Sequence, residues 1–377
     1  MPENSIYLDF NSTTPVLKEV VDAMLPYFSV DFGNPSSKTH AHGWIAAEAV
    51  KIAREQTAQL LGSEESEIIF TSGATESLNL AIQGLARTYS SKGKHIVSVA
   101  TEHKAVLDVL KYLETVGFEV TILQVNSSGD IDVEELEEVL RDDSIAVICM
   151  LANNETGKVM PIANISEIAK KFGALLVCDA TQAVGKMRVD VNDLGVDLLA
   201  ISAHKFYGPK GVGALYIRRK NPRVKLSPIT FGGGHESGLR PGTLALPTIV
   251  GLGKAAELSI RDLDIRKKKM LSNRVLFEKE LAASSRIKFN LSGDDRLPNT
   301  INFRIEGQKA DTFFSKLPLL SFSSGSACTS AIPEPSHVLK AMGLSTVQAL
   351  ESFRISIGVS TTEAEIKKAA TMILQQL

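Results

Sequence analysis

The sequence predicts an α/β protein with a mostly parallel central sheet and a smaller α+β part, and three observations carry that prediction. Apolar strand-like runs alternate with amphipathic segments from about residue 17 to 250, the rhythm of βα units with helices on both sides of a sheet. Several runs (AVICML, ALLVCD and DLLAIS) are apolar throughout, as strands buried on both faces are. After about residue 254 the rhythm changes to a long charged helical stretch followed by short strands and helices.

Taken in order, EIIFT at 67–71, HIVSV at 95–99 and FEVTILQ at 118–124 read as strands, followed by AVICML at 146–151, ALLVCD at 174–179 and DLLAIS at 197–202. Amphipathic segments lie between them. In EHKAVLDVLKYLE, Val106, Leu107, Leu110 and Leu113 fall on one helical face. A helix is expected over roughly 254–283, then strands at NTINFRI and FRISIG and a terminal helix. The expected division is a large part over 16–254 and a small part formed by 1–15 and 255–377. No internal repeat and no low-complexity tract interrupts this plan.

The chain has 377 residues, 44% hydrophobic and 22% charged, with 41 Lys plus Arg against 43 Asp plus Glu. A net charge of −2 gives no basic field for nucleic acid. No uncharged apolar run reaches the roughly 20 residues a membrane helix needs. The start, MPENSIYLDF, lacks the basic and apolar regions of a signal peptide, so the N-x-S/T matches at Asn11, Asn126 and Asn290 are expected to carry no meaning. Cys149, Cys178 and Cys328 are odd in number and far apart, which does not make a disulfide framework. A reducing cytoplasm is the expected compartment.

Ligands of open α/β sheets bind at the carboxyl ends of the strands, so the residues after each strand are the candidates. EIIFT leads into Ser72-Gly73-Ala74-Thr75, which would open a helix. Free N–H groups, the helix dipole and hydroxyls there can hold a phosphate, although a plain helix cap explains the same residues. Neither GxxxxGK[ST] nor GxGxxG occurs here. ALLVC ends in Asp179, which either caps a loop or keeps a cationic heterocycle nitrogen protonated. DLLAIS leads into His204-Lys205 and a Gly-rich turn. A lysine there is either solvated or, desolvated beside other cations, able to form a Schiff base. His103 starts the inward face of its helix, as a core histidine or as a neutral ring that stacks or exchanges protons. His40 and His42 have metal-like spacing but no evident partner, so no metal site is expected. Cys328 sits in SFSSGSACTS, a small-residue segment suited to movement, where it is either incidental or a nucleophile. Phosphate cradle, helix-start His, strand-end Asp and a strand-end Lys 26 residues later together form the set that pyridoxal phosphate needs.

With these motifs the sequence resembles the class V aminotransferase family, and within it the cysteine desulfurases of the NifS/IscS type. The resemblance runs from YLDFNSTTP to RISIG and rests on FGNPSS, FTSGATES, TEHKAVL, NNETG, CDATQAVGK, SAHKFYGPKGVGALY, GGGHE with RPGT, and SSGSACTS. It implies the pyridoxal-phosphate-dependent transferase fold (fold type I) and sulfur removal from L-cysteine, giving alanine and a persulfide on Cys328. By the same resemblance Lys205 would hold the cofactor covalently, Asp179 would meet the pyridine nitrogen and Gln182 the ring hydroxyl. His103 would stack on the ring, with Asn154 nearby. Ala74, Thr75, Ser202 and His204 would hold the phosphate, and Thr243 would reach it from the other subunit of a homodimer. Asn34 and Arg354 would bind the substrate carboxylate. A sulfur-acceptor protein is implied, as an iron–sulfur scaffold or a sulfur carrier.

The sequence also departs from the pattern. GVST stands at 358–361 where an Arg-Phe pair is usual after the glycine, and Pro241 stands where Ser is common. The sequence stops at Leu377, without the tail that engages a scaffold partner in the housekeeping type, which puts the usual docking in doubt. A selenocysteine lyase or transaminase of the same fold, or a non-catalytic protein that keeps it, would be the competing readings. The SSGSACTS segment argues against the first, and retention of Lys205, Asp179, His103 and Cys328 against the second.

Overall fold

A computed structural model describes residues 5–324 and 334–377. Its main sheet has seven strands: β1 (Ile68–Thr71), β2 (His95–Val99), β3 (Glu119–Leu123), β4 (Ser144–Ile148), β5 (Leu175–Asp179), β6 (Leu198–Ser202) and β7 (Gly213–Ile217). They lie in the order β1-β7-β6-β5-β4-β2-β3. β7 is antiparallel to both its neighbours, while β6, β5, β4, β2 and β3 pair in parallel. Six of the seven strands therefore point the same way, and their carboxyl ends share one edge.

The apolar runs are continuous because successive residues feed opposite cores. Leu176 and Cys178 join one cluster and Val177 the other. Helices α1 (Ala41–Leu61) and the first half of α4 (Leu246–Leu281) cover the first face; α2 (Ala74–Tyr89) and α3 (Lys104–Thr115) cover the second. Each large aliphatic side chain buried this way contributes on the order of 1.5–3 kcal/mol. In α3 the buried residues are Val106, Val109, Leu110 and Leu113, with Leu107 half-buried.

The expected strand at 146–151 begins and ends earlier, at Ser144–Ile148. Its ladder nevertheless continues, since the N–H groups of Cys149 and Leu151 donate to the carbonyls of Val177 and Asp179. β7 carries no strand signal of its own in the sequence, because GALYI follows directly on the Gly-rich turn of the lysine motif. It enters the sheet beneath the start of α2: a Cβ on Gly213 would lie 2.4 Å from the Ile201 carbonyl oxygen and 2.7 Å from Gly73 Cα, so only glycine fits.

A second, antiparallel sheet has the order β10-β11-β9-β8, from β8 (Ile287–Phe289), β9 (Thr300–Ile305), β10 (Ser323–Ser324) and β11 (Ser352–Ser356). Its core holds Phe303, Phe313, Phe353 and Ile355, together with Ile366 and Ile373 of α5 (Glu363–Leu374). Helix α4 begins eight residues before the expected 254 and joins both cores, through Leu246 and Leu252 at one end and Phe277 and Leu281 at the other. Residues 5–15 also bridge the sheets: the N–H of Leu8 donates to Ser321 O, and that of Thr14 to His204 O. Among the described residues no helix is long and apolar enough to cross a membrane.

Candidate active site

The shared edge of the parallel strands opens into a cavity of about 460 Å³. Ala74, Thr75, His103, Asn154, Asp179, Gln182, Ser202, His204, Lys205 and Arg354, separated by up to 280 residues of chain, all line it. The sheet explains the convergence. Asp179 is the last residue of β5, Ser202 the last of β6, and Lys205 ends the single 3₁₀ turn that follows.

At one end stands the start of α2. Its N-cap, Gly73, has φ 151°, a conformation other residues rarely adopt, and no side chain caps the helix. The N-terminal N–H groups are thus left for a ligand, with the positive end of the helix dipole behind them. Ser202, His204 and Lys210 line the same cavity. His204 Nδ1 lies 3.1 Å from Thr13 Oγ1. Burial, reinforced by the charges of Lys205, Lys210 and Lys186, pushes its pKa down to about 4, so the ring is neutral.

Lys205 Nζ donates to the carbonyls of Asn11 (2.7 Å) and Ser12 (2.8 Å). Among the described residues it makes no ion pair. Desolvation and the nearby Arg354 guanidinium lower its pKa to about 8, against the opposing pull of Asp179 and Asp9. About a tenth of this amine is therefore unprotonated and free to act as a nucleophile at pH 7, far more than for an ordinary lysine. Asp179 is buried, and its Oδ1 accepts the Thr181 N–H at 2.9 Å, so the loop cap expected for it does form. Its other oxygen accepts no bond among those formed by the described residues. His103 is the N-cap of α3, with Nδ1 accepting the Ala105 N–H. Its exposure is to the cavity, whose walls lower its pKa by desolvation, opposed by Asp179 and aided by Lys205 and His337. A neutral ring follows, as its helix-start position predicts.

Arg354, on β11, reaches the cavity from the second sheet and is 1% exposed. Its Nη2 donates to Asp9 Oδ1 (2.7 Å), Ser12 Oγ (2.7 Å) and Ser323 Oγ (2.9 Å), and its Nη1 to Asn154 O (3.1 Å). Next to Asn154, Glu155 is buried and accepts the Ser336 hydroxyl. Burial raises its pKa to about 7, against the Ser336 bond and Arg354.

Asn34 and Thr243 do not line the cavity. Both are exposed, and Asn34 Oδ1 accepts the Ser36 N–H at 2.9 Å. Their segments are joined through Ser36 Oγ and His235 Nε2, 3.0 Å apart. Cys328 lies outside the described residues. Cys149 and Cys178 are fully buried, with thiols pushed well above the ordinary range by desolvation. His40 caps α1, and His42 stacks on Phe32. Asn11, Ser12, Met150 and Thr181 line the cavity without having been singled out. Asn11 and Ser12 serve Lys205 through backbone carbonyls, for which a side-chain motif gives no signal; Asn11 read only as a meaningless N-x-S match.

Residues 6–369 match the family Aminotransferase class-V. The chain belongs to the class-V aminotransferase family. It falls there with the NifS/IscS type: cysteine desulfurase IscS of Anaeromyxobacter sp. (strain Fw109-5) is 49% identical over 99% of this chain and 92% of that one. A solved NifS-like protein, 35% identical, superposes with a TM-score of 0.92, covering 99% of this chain and 100% of its own. SspA in complex with cysteine, 38% identical, gives a TM-score of 0.84 over 94% of this chain and 99% of that one. This class-V chain thus has the α/β fold with a mostly parallel sheet that its sequence predicted, and its cavity lies where such sheets bind ligands.

Proposed function

We infer that this chain is a cysteine desulfurase that uses pyridoxal phosphate to convert L-cysteine to L-alanine, leaving a persulfide on Cys328. The observation that carries the reading is Lys205: a desolvated amine with no ion pair among the described residues, facing the same cavity as a buried carboxylate and an uncapped helix start. That donor set fits a phosphorylated pyridine aldehyde. The start of α2, with Ala74, Thr75, Ser202 and His204, would hold the phosphate. Asp179 would keep a proton on the pyridine nitrogen, Gln182 would donate to the ring oxygen, His103 would stack on the ring, with Asn154 beside it, and Lys205 would anchor the aldehyde carbon.

When bound, the cofactor supplies an electron sink for the charge left at the substrate Cα. The chain does the rest. Arg354 binds the substrate carboxylate, the exposed Asn34 joins it once the dimer brings its segment against a cavity, and the Lys205 amine takes the proton from Cα. The Cys328 thiolate attacks the substrate sulfur, so the Cβ–S bond breaks and an S–S bond forms. One cysteine and one thiol give one alanine and one persulfide, and no external oxidant or reductant is needed. Cysteine suits this step because the thiolate is the nucleophile.

The exposed apolar side chains Phe231 (81%), Val30 (66%), Phe32 (64%), Phe28 (60%) and Trp44 (58%) support a homodimer. They lie on the segments that carry Asn34 and Thr243, and such a face marks an interface in a chain of this kind. In the dimer Thr243 would reach the partner's phosphate site. The persulfide would pass to a sulfur-acceptor protein, an iron–sulfur scaffold or a sulfur carrier, in the cytoplasm.

The test is incubation of the purified, cofactor-loaded protein with L-cysteine, measuring alanine and protein-bound persulfide. Equal amounts of both in a single turnover support the reading. Cofactor binding without alanine, or turnover of selenocysteine only, would contradict it.

A further inference from the structure

Behind the cavity lies a second lysine that the reaction does not use. Lys186 is 5% exposed. Among the described residues its Nζ meets only amide oxygens, Gln182 Oε1 at 2.7 Å and Asn11 Oδ1 at 3.3 Å. Among the described residues no carboxylate pairs with it. Burial, followed by the charges of Lys205 and Arg354, pushes its pKa well down. A buried amine without a counter-ion is costly to keep, and its position points to a task.

That task follows from donor and acceptor counts. A side-chain amide has an oxygen that accepts and a nitrogen that donates two hydrogens. Gln182 Nε2 donates to Asn11 O at 2.9 Å, and Gln182 Oε1 accepts from Lys186. Asn11 O also receives Lys205 Nζ at 2.7 Å, so it is a shared acceptor. Asn11 itself cannot turn over: its Nδ2 donates to Thr300 Oγ1 (2.9 Å) and Asn154 O (3.2 Å), and its Oδ1 accepts from Asn299 Nδ2 (3.0 Å). Both ends of the Gln182 amide are therefore held from behind. What remains is one N–H, on a side chain that lines the cavity.

We propose that Lys186 is a positioning residue for the cofactor: by occupying Gln182 Oε1, it holds that amide with a donor toward the ring oxygen. This rests on the reading of the cavity as a pyridoxal phosphate site. A donor at that point stabilises the anionic ring oxygen and lowers the proton affinity of the group that titrates with it. Loss of the donor raises that affinity.

The test uses full-length holoenzyme and a readout other than turnover: the pH midpoint of the bound cofactor's absorbance change, with cofactor dissociation measured alongside. Lys186→Met keeps length and apolar volume and deletes both donated hydrogens. Its midpoint should rise by about half a pH unit and cofactor dissociation should weaken binding about fivefold. Gln182→Leu should raise the midpoint at least as far. The double variant should match Gln182→Leu alone, because Lys186 acts only through Gln182. Lys186→Gln, which restores a neutral donor, should keep the midpoint of the parent protein; it also serves if Lys186→Met does not fold. An unchanged midpoint in Lys186→Met beside a raised one in Gln182→Leu overturns the proposal and leaves the cofactor reading intact. So does a midpoint in Lys186→Gln raised as far as in Gln182→Leu. A parent protein that shows no cofactor absorbance overturns both.

Discussion

The wall built by the strand ends and the exposed segments that carry Asn34 and Thr243 place their residues by different means. On the wall, Asp179, Ser202, Lys205 and His103 are set by parallel strands packed between two cores, and the side chains of Asp179, Lys205 and His103 have partners within one chain. On the exposed segments, Asn34 and Thr243 stand away from the cavity among large apolar side chains open to solvent, Phe231 and Phe32 among them. The difference teaches that one chain is sufficient to place and desolvate Lys205. The residues it leaves outside lie on the exposed surface that the proposed homodimer would cover.

The largest effect is expected where the reaction needs a nucleophile that the wall does not supply. Cys328→Ser should lower alanine production at least about a thousandfold while cofactor content stays normal. Cys149→Ser and Cys178→Ser should keep turnover and lose stability of about 1–3 kcal/mol from a buried hydroxyl. Normal alanine production by Cys328→Ser breaks the account of the sulfur step.

Next comes a buried carboxyl beside the wall, next to Asn154. Glu155 has a folded pKa raised to about 7, so the protonated form is favoured in the folded state. Its stabilising contribution is full below the unfolded carboxyl value and is lost as pH rises through about 7. Relative to the parent protein, Glu155→Gln should therefore gain stability between pH about 4.5 and 7, by up to about 3 kcal/mol, and hold level above. Denaturant unfolding at several pH values measures this. A difference that does not change with pH would show that Glu155 titrates normally.

Breaking the exposed surface should cost activity without touching the wall. Phe231→Asp combined with Phe32→Asp should convert a dimer to a monomer in sedimentation and lower turnover about tenfold. A fully active monomer would show that Thr243 is not needed from a partner.

The mildest expectation concerns rate. Because desolvation lowers the Lys205 pKa to about 8, cofactor uptake by the apoprotein should speed up about tenfold per pH unit below that value and level off above it. Stopped-flow absorbance would follow it. Continued acceleration to pH about 10, the ordinary lysine range, would mean that the amine is not perturbed.

The sequence reveals the wall far better than its supports. Asp179 and Lys205 were legible because a fully apolar strand must end somewhere, and what stands at its carboxyl end faces the ligand edge. The stack of β5 and β6 then follows from their composition. β7 was not legible: a five-residue run after a Gly-rich turn gives no sign that it inserts between β1 and β6 in the opposite direction. Asn11 and Ser12 meet Lys205 through carbonyls, which every residue has, so no side-chain pattern marks that contact. Glu155 and Lys186 looked like ordinary charged residues within longer motifs. Their burial, and hence their altered protonation, comes from elements far along the chain such as β9, β11 and Ser336.

The most direct test of the central claim is borohydride reduction of the cofactor-loaded protein followed by peptide mapping. The cavity places three lysines within or behind one wall, Lys205, Lys210 and Lys186. Lys205 combines a lowered pKa with a side chain facing the cavity, at the end of the 3₁₀ turn that follows β6. The account predicts the reduced cofactor on Lys205 alone, and no label in Lys205→Ala. Label on Lys186, on Lys210 or on a lysine outside the cavity would contradict it.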